Sequence, residues 1–169
     1  SDMTAINGGN SDVAYPSPML CDIEFDIDGS MVLGFGDRAA YQLGFDDYQP
    51  AGGPNLYRGF AGGDILRVYA KDGTYALENN AKAGPVDGFG DNNNQGPGFG
   101  EFYNDIWNNG GHSEIALGGL ALRPGSGQVM AVMMDPLLLI GNPIVIWSNG
   151  VRTLSNGDGS YVNGFVIFQ

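Results

Sequence analysis

DIEFDIDGSMVLGFGDR, running from Asp22 to Arg38, decides how the rest of the chain is read. Ile23, Phe25 and Ile27 alternate with Asp22, Glu24, Asp26 and Asp28, and Gly29-Ser30 breaks the run before Met31-Val32-Leu33-Gly34-Phe35. A period of two on both sides of a glycine break is the pattern of a β-hairpin, because successive strand side chains point to opposite faces. A second version stands at GLALRPGSGQVMAVMMDP, Gly119 to Pro136. With one residue inserted in the turn, Ile23 aligns with Leu120, Phe25 with Leu122, Gly29 with Gly127, Met31 with Val129 and Asp37 with Asp135. The chain repeats itself.

Working outward, Asp64 to Asn79 (DILRVYAKDGTYALEN) is another hairpin pattern, with Asp72-Gly73 the favoured dipeptide of a tight turn between strands. Its counterpart is read at Asn142 to Asn156 (NPIVIWSNGVRTLSN), where Asn149-Gly150 supplies the turn. Leu66 then aligns with Ile144, Val68 with Ile146, Tyr69 with Trp147, Leu77 with Leu154 and Asn79 with Asn156. Each repeat holds four strands. The expected organisation is one β domain over 1–169, with a first blade-like repeat at 20–79, a loop insertion at 80–118, a second blade-like repeat at 119–156 and a terminal strand at 157–169. Asp2 to Ile6 is read as an edge-strand segment, and Ala39 to Gly63 as a long loop pinned by aromatics.

Composition agrees with short strands and many turns. Gly makes up 29 of the 169 residues, more than twice the average share of about 7%, alongside 9 Pro. The fold class expected is all-β, with antiparallel four-stranded β-propeller-type blades in two repeats and long Gly/Asn-rich loops. A formal net charge of −12 opposes binding to nucleic acid and to anionic membrane surfaces. No apolar run approaches the roughly 18 residues of a membrane-spanning helix. Cys21 is the single cysteine, so no intrachain disulfide forms; it is read as a small buried packing residue. Ser1 is expected to be the edge of a processed or excised piece.

The apolar pair, the Asp-x-Asp-Gly turn, the apolar run ending in Asp, and the following strand with its Asx-Gly turn resemble the blades of NHL-type β-propellers. YPSPMLCDIEFDIDGSMVLGFGDR, GDILRVYAKDG, GGLALRPGSGQV and Trp147 with Leu154-Ser155-Asn156 further resemble the propeller-like region of large bacterial surface proteins that carry Sdr-type B repeats. That resemblance implies an extracellular or cell-surface location. A propeller closes with roughly four to eight blades, and two are present. Neighbouring copies, or other segments of a longer chain, are therefore expected to complete the assembly as a ring or fibre, with Phe165 and Ile167 of the last apolar strand as assembly residues.

Catalytic chemistry finds no constellation. Glu24-x-Asp26-x-Asp28-Gly29 fails as a calcium loop, because Phe35 stands where the bidentate Glu is required, and these acids read as a solvated strand face. His112, the sole histidine, has no ligand spacing or nucleophile elbow around it. Asp37 and Asp135 read as strand-end residues rather than hydrolase acids. A denser oxygen set occurs at Asp87, Asp91, Asn93 and Glu101, where glycines let carbonyls converge, and Ca2+ is the cofactor this set suits.

The function expected is a noncatalytic extracellular structural or adhesive module of a bacterial surface protein, serving as a self-assembling fibre subunit and requiring no other cofactor. The alternative is a carbohydrate-binding module, with Tyr103 and Trp107 stacking on a glycan beside Asp and Asn side chains. A hydrolase is the third and weakest reading.

Overall fold

The computed structural model describes residues 4–5, 12–14, 17–48, 53–59, 61–90, 92–106, 114–137 and 148–168. Two short strands come first, β1 (Thr4–Ala5) and β2 (Asp12–Ala14), paired antiparallel. The opening hairpin forms where its alternation places it, as β3 (Pro18–Phe25) and β4 (Met31–Asp37), with Phe25 opposite Met31 and Ile23 opposite Leu33. Asp37 ends the hairpin and caps a short helix, α1 (Arg38–Leu43): its Oδ1 accepts the Ala39 N–H at 3.0 Å and the Ser17 N–H at 3.1 Å. Then β5 (Asp47–Tyr48) and β6 (Leu56–Gly59) join β1 and β2 in a small sheet of order β1-β2-β6-β5. The segment expected as a loop thus carries a helix and two short strands, and Tyr41 anchors the helix by donating its hydroxyl to Leu117 O at 2.6 Å.

The larger sheets are both four-stranded and antiparallel. β7 (Asp64–Lys71) and β8 (Thr74–Leu77) complete the first, in the order β3-β4-β7-β8. Asp72 and Gly73 turn between them with φ of 52° and 75°, the left-handed pair that an Asp-Gly hairpin turn requires. After the hairpin β9 (Lys82–Ala83) and β10 (Val86–Asp87) and a 3-10 turn at Pro97–Phe99, the second large sheet follows. It comprises β11 (Ala116–Leu122), β12 (Gln128–Met134), β13 (Asn149–Ser155) and β14 (Tyr161–Phe168), in that order. Apart from the parallel β2–β6 pair of the small sheet, the described strands pair antiparallel, and they form no closed ring or barrel.

Two expected boundaries change. Asn149-Gly150 is not a turn: both residues lie in β13, opposite Met134 and Met133 of β12. A Cβ at Gly150 would lie 1.9 Å from Phe165 O, beside a register shift between β13 and β14, so this glycine marks a close backbone approach instead. The terminal strand is accordingly the fourth strand of the second sheet, which runs to Phe168 rather than ending at 156. Residues 142–147, including Ile144, Ile146 and Trp147, fall outside the described residues.

The insertion is the second correction. Read as a loop, it instead contributes to the core, where Ala83, Phe102, Tyr103 and Ile115 are at 1% exposure or less beside Val32, Ile65, Val129 and Leu154 of the two large sheets. Backbone bridges hold it in place: Gly90 and Glu101 exchange N–H···O bonds at 2.9 and 3.1 Å, and Asn104 N donates to Gly159 O at 2.8 Å.

Cross-strand pairing fixes the equivalence of the repeats: Phe25 opposite Met31 opposite Val68 matches Leu122 opposite Val129 opposite Leu154. Likewise Ile23–Leu33–Leu66 matches Leu120–Ala131–Arg152, which replaces the Leu66/Ile144 and Val68/Ile146 alignment. In the second sheet this face is buried, with Val129, Leu154 and Arg152 at 0% exposure. It packs on the opposite face of the first sheet, where Val32 and Ile65 are also at 0%. The two sheets stack head to tail, one kind of face on the other. A Cβ at Gly34 of β4 would come within 2.3 Å of Gly118 O, so this glycine lets β11 approach closely.

On β3 the consequence reverses the simple expectation. Ile23 is 43% exposed and Phe25 52%, whereas Asp22, Glu24 and Asp26 are half-buried toward the second sheet. The acids are not a solvated face: Asp22 Oδ2 accepts the Leu120 N–H at 3.0 Å, and Asp26 Oδ1 accepts the Gly125 N–H at 2.8 Å. Partial burial pushes the Asp26 carboxyl up, but bonds from Gly125, Ile27 and Asn156 outweigh it and hold it below the ordinary range.

Candidate functional site

Two features of the molecule carry chemistry that folding alone does not use up. The first is interior. Asp64 opens β7, and the preceding Gly63 N–H donates to Ala116 O at 2.8 Å, which brings that strand end against the start of the second sheet. Glu101 sits on its bridge with Gly90, and Asp105 is fixed by the Ile115 N–H, which donates to Asp105 O at 3.0 Å. One carboxylate oxygen from each of Asp64, Glu101 and Asp105 lies within 4.8 Å of the others.

Glu101 and Asp105 are at 0% exposure, and none of their four carboxylate oxygens has a hydrogen-bond donor from outside the acidic group; Asp64 Oδ1 is likewise without one. Burial, reinforced by the charges of Asp105 and Glu114, pushes the Glu101 carboxyl far above the ordinary range. Asp105 shifts the same way, through burial and then Glu114 and Asp64. Asp64 is raised to about 6 by burial. Glu114 is raised to about 8, by burial and then the charge of Asp64. The nearby cation acting on Asp105 is Arg152, itself fully buried and engaged with Pro136 O at 3.0 Å and Asn104 O at 2.9 Å. One positive charge does not balance this group.

A neutral-to-charged relay runs beside it and joins the sheets. Arg67 Nη1 donates to Tyr103 Oη at 3.1 Å, and Tyr103 donates on to Asn156 Oδ1 at 2.9 Å. Asn156 Nδ2 then donates to Asp26 Oδ2 at 3.0 Å, linking β7, the insertion, the end of β13 and the first hairpin. Glu78 accepts the Arg67 and Phe102 N–H groups, and burial pushes its carboxyl up to about 7.

Of the residues singled out from sequence for a cation, Glu101 alone enters the interior group. Asp87 is exposed and pairs with Lys82 at 2.9 Å; Asn93 Oδ1 caps the Gln95 N–H at 2.9 Å; Asp91 falls outside the described residues. Sequence reading missed Asp64, Asp105 and Glu114. Each directly precedes an isoleucine, but so do Asp22 and Asp26, so the local pattern does not distinguish them. Tyr103 is corrected as a sugar platform: it is at 0% exposure, edge-on to Phe102 at 5.0 Å, with its hydroxyl committed on both sides. Trp107 and His112 fall outside the described residues. Asp37 and Asp135 are buried strand-end caps, Asp135 Oδ1 accepting the Ser148 N–H at 2.8 Å. Cys21 is exposed, with Sγ donating to Met19 O at 3.3 Å, and so is not the buried packing residue expected.

The second feature is exterior. On the first sheet the rows Ile23–Leu33–Leu66 and Phe25–Met31–Val68–Leu77 carry no charged side chain; Ile23, Phe25 and Leu77 are exposed, Met31 and Leu33 half-buried, and Leu66 and Val68 buried. On the second, Val132–Val151–Phe165 forms an outward row, with Val132 40% and Phe165 55% exposed. Ile167, farther along β14, is also exposed. Antiparallel sheets with one solvated face ordinarily place polar residues there, and extended apolar faces mark contact surfaces.

No protein-family model matches the chain, and no solved structure matches it. Among curated proteins it is similar to Colossin-A of Dictyostelium discoideum, 29% identical over 157 residues that cover 87% of this chain. The chain spans about 1% of the length of that relative. No helix among the described residues is long and apolar enough to cross a membrane.

Proposed function

We propose that the chain is a noncatalytic extracellular structural module whose two propeller-type blades continue their stack into a second copy of the same chain. The observation that supports this most directly is the head-to-tail internal contact. The face that the second sheet presents to the first, containing Leu122, Val129 and Leu154, is equivalent to the face of the first sheet that contains Phe25, Met31 and Val68, exposed at Phe25, half-buried at Met31 and buried at Val68. Its acceptor inside the molecule is the opposite face of a blade, and the second sheet turns that opposite face outward at Val132, Val151 and Phe165. Each copy therefore offers both halves of a contact it already makes once. Repeating a head-to-tail contact gives a ring if the rotation closes and a fibre if it does not.

The energetic argument is apolar burial. Covering a Phe, Leu, Ile or Val side chain contributes roughly 1.5–3 kcal/mol against leaving it in water, and the outward rows leave much of this unrealised in an isolated chain. Net charge of −12 opposes close approach of copies, and physiological salt screens it beyond about 8 Å. Similarity to a small part of a much longer protein suits a module of this kind.

Sedimentation at physiological ionic strength tests the reading. The average mass is expected to grow with concentration past that of one chain, and Phe25→Lys or Val132→Lys, each on an outward position, is expected to hold it near one chain. A wild-type chain that stays monomeric up to the highest soluble concentration overturns the proposal and leaves these faces to other segments of a longer protein.

A further inference from the structure

We propose that Asp64, Glu101 and Asp105 bind one Ca2+ ion that clamps the insertion to the first sheet, with the Glu114 carboxylate alongside. This stands apart from assembly and does not depend on it. Calcium lies 2.3–2.6 Å from its oxygens, so two ligands on opposite sides of one ion are separated by about 4.8 Å. The three oxygens meet that limit, all lying within 4.8 Å of one another.

The second support is the state of those oxygens. Both of Glu101 and both of Asp105 are buried in residues at 0% exposure and receive no hydrogen bond from outside the acidic group. Ionised carboxylates removed from water cost several kcal/mol each unless they are paired, Arg152 supplies one positive charge, and a divalent cation would coordinate the oxygens and supply the charge that is lacking. The donor set is all hard oxygen, which excludes the soft-metal preference of thiolate or imidazole sites. Calcium is favoured over magnesium because a carboxylate-rich protein cage of flexible geometry suits the larger ion, whereas Mg2+ keeps several of its waters.

Position then assigns the ion a task. Asp64 belongs to β7, while Glu101 and Asp105 come from the segment between the repeats, so one ion ties the first sheet to the insertion that fills the core. Gly96 and Gly98 stand at positive φ in the stretch that leads to Glu101, and a cation at its end fixes what those glycines leave free.

Chelator-treated protein titrated with CaCl2 in a calorimeter is expected to saturate at one ion per chain. Its melting temperature is expected to rise by about 5–10 °C when Ca2+ reaches a hundredfold excess over Kd, and Mg2+ to shift it less. Glu101→Gln is neutral like the protonated acid that burial favours without metal, so in chelator it is expected to melt no lower than wild type while losing the calcium response; Asp105→Asn serves the same purpose if that variant fails to fold. Asp87→Asn, on the exposed pair with Lys82, is expected to retain the response in full. Absence of saturable heat and of any thermal shift in wild type up to about 10 mM CaCl2, beyond the weak end of extracellular calcium modules, overturns the assignment. So does a response that Asp87→Asn abolishes or that Glu101→Gln and Asp105→Asn both preserve.

Discussion

Tyr103→Phe is expected to lower stability by about 2–4 kcal/mol, although it removes a single oxygen. That oxygen accepts from Arg67 Nη1 and donates to Asn156 Oδ1, so its loss leaves a guanidinium N–H and an amide carbonyl facing each other without a partner. Both are buried, Arg67 at 6% and Asn156 at 5% exposure, and water does not readily replace the lost bonds. The ring itself stays packed against Phe102, so a change in cavity volume contributes little. For a chain of this size the melting temperature should fall by roughly 5–15 °C, read by calorimetry or circular dichroism. A companion Asn156→Ala, which leaves Tyr103 without its acceptor and removes the donor to Asp26 Oδ2, should couple with Tyr103→Phe rather than add to it. Simple additivity of the two would show that the relay does not act as a unit.

Gly159→Ala is expected to cost about as much or more, roughly 2–5 kcal/mol, for a steric reason. Gly159 has φ of 69°, and a Cβ there would lie 1.6 Å from Phe102 O. Neither partner can yield cheaply: Gly159 O accepts the Asn104 N–H at 2.8 Å, Gly159 N donates to Ser155 O at 2.9 Å, and Phe102 is at the centre of the core. Gly73→Ala isolates the backbone contribution. Gly73 has φ of 75° with nothing within 4 Å of a new Cβ, so only the left-handed strain applies, about 1–2 kcal/mol. Denaturant unfolding of the two variants should separate them clearly, and equal losses would remove the clash from the explanation.

These interior details were differently visible in the sequence. The β3–β4, β7–β8 and β11–β12 hairpins were legible because alternation and a left-handed turn residue are local properties. Orientation was not. Alternation along Asp22–Ile27 reports two faces but not which one meets a neighbour, and burying Asp22 and Asp26 becomes intelligible only once the N–H groups of Leu120 and Gly125 stand opposite them. Asn149-Gly150 misled for a related reason, since the same dipeptide serves a turn or a close crossing, and pairing with Met134 and Met133 selects the latter.

The insertion hid its contribution because Phe102, Tyr103 and Ile115 appear among Gly and Asn without a period that marks a strand or helix. Their burial depends on distant partners such as Gly159 and Arg67. Glu101 could be selected from its oxygen-rich surroundings, but Asp64 joins it only through the meeting of a strand end with the second sheet. Phe165 was legible as an apolar residue of the last strand; that it is exposed and shares its outward row with Val132 and Val151 required the register of β12, β13 and β14.

Head-to-tail stacking is tested most directly by mixing two blocked chains. Phe25→Lys closes the outward face of the first sheet, and Val132→Lys closes that of the second, so each variant alone lacks one half of the repeated contact. Mixed in equal amounts, they retain one open face of each kind and should form a heterodimer of twice the single-chain mass and go no further, as read by sedimentation equilibrium. A mixture in which both variants remain monomeric, or either variant alone assembling as far as wild type, would contradict stacking through these faces.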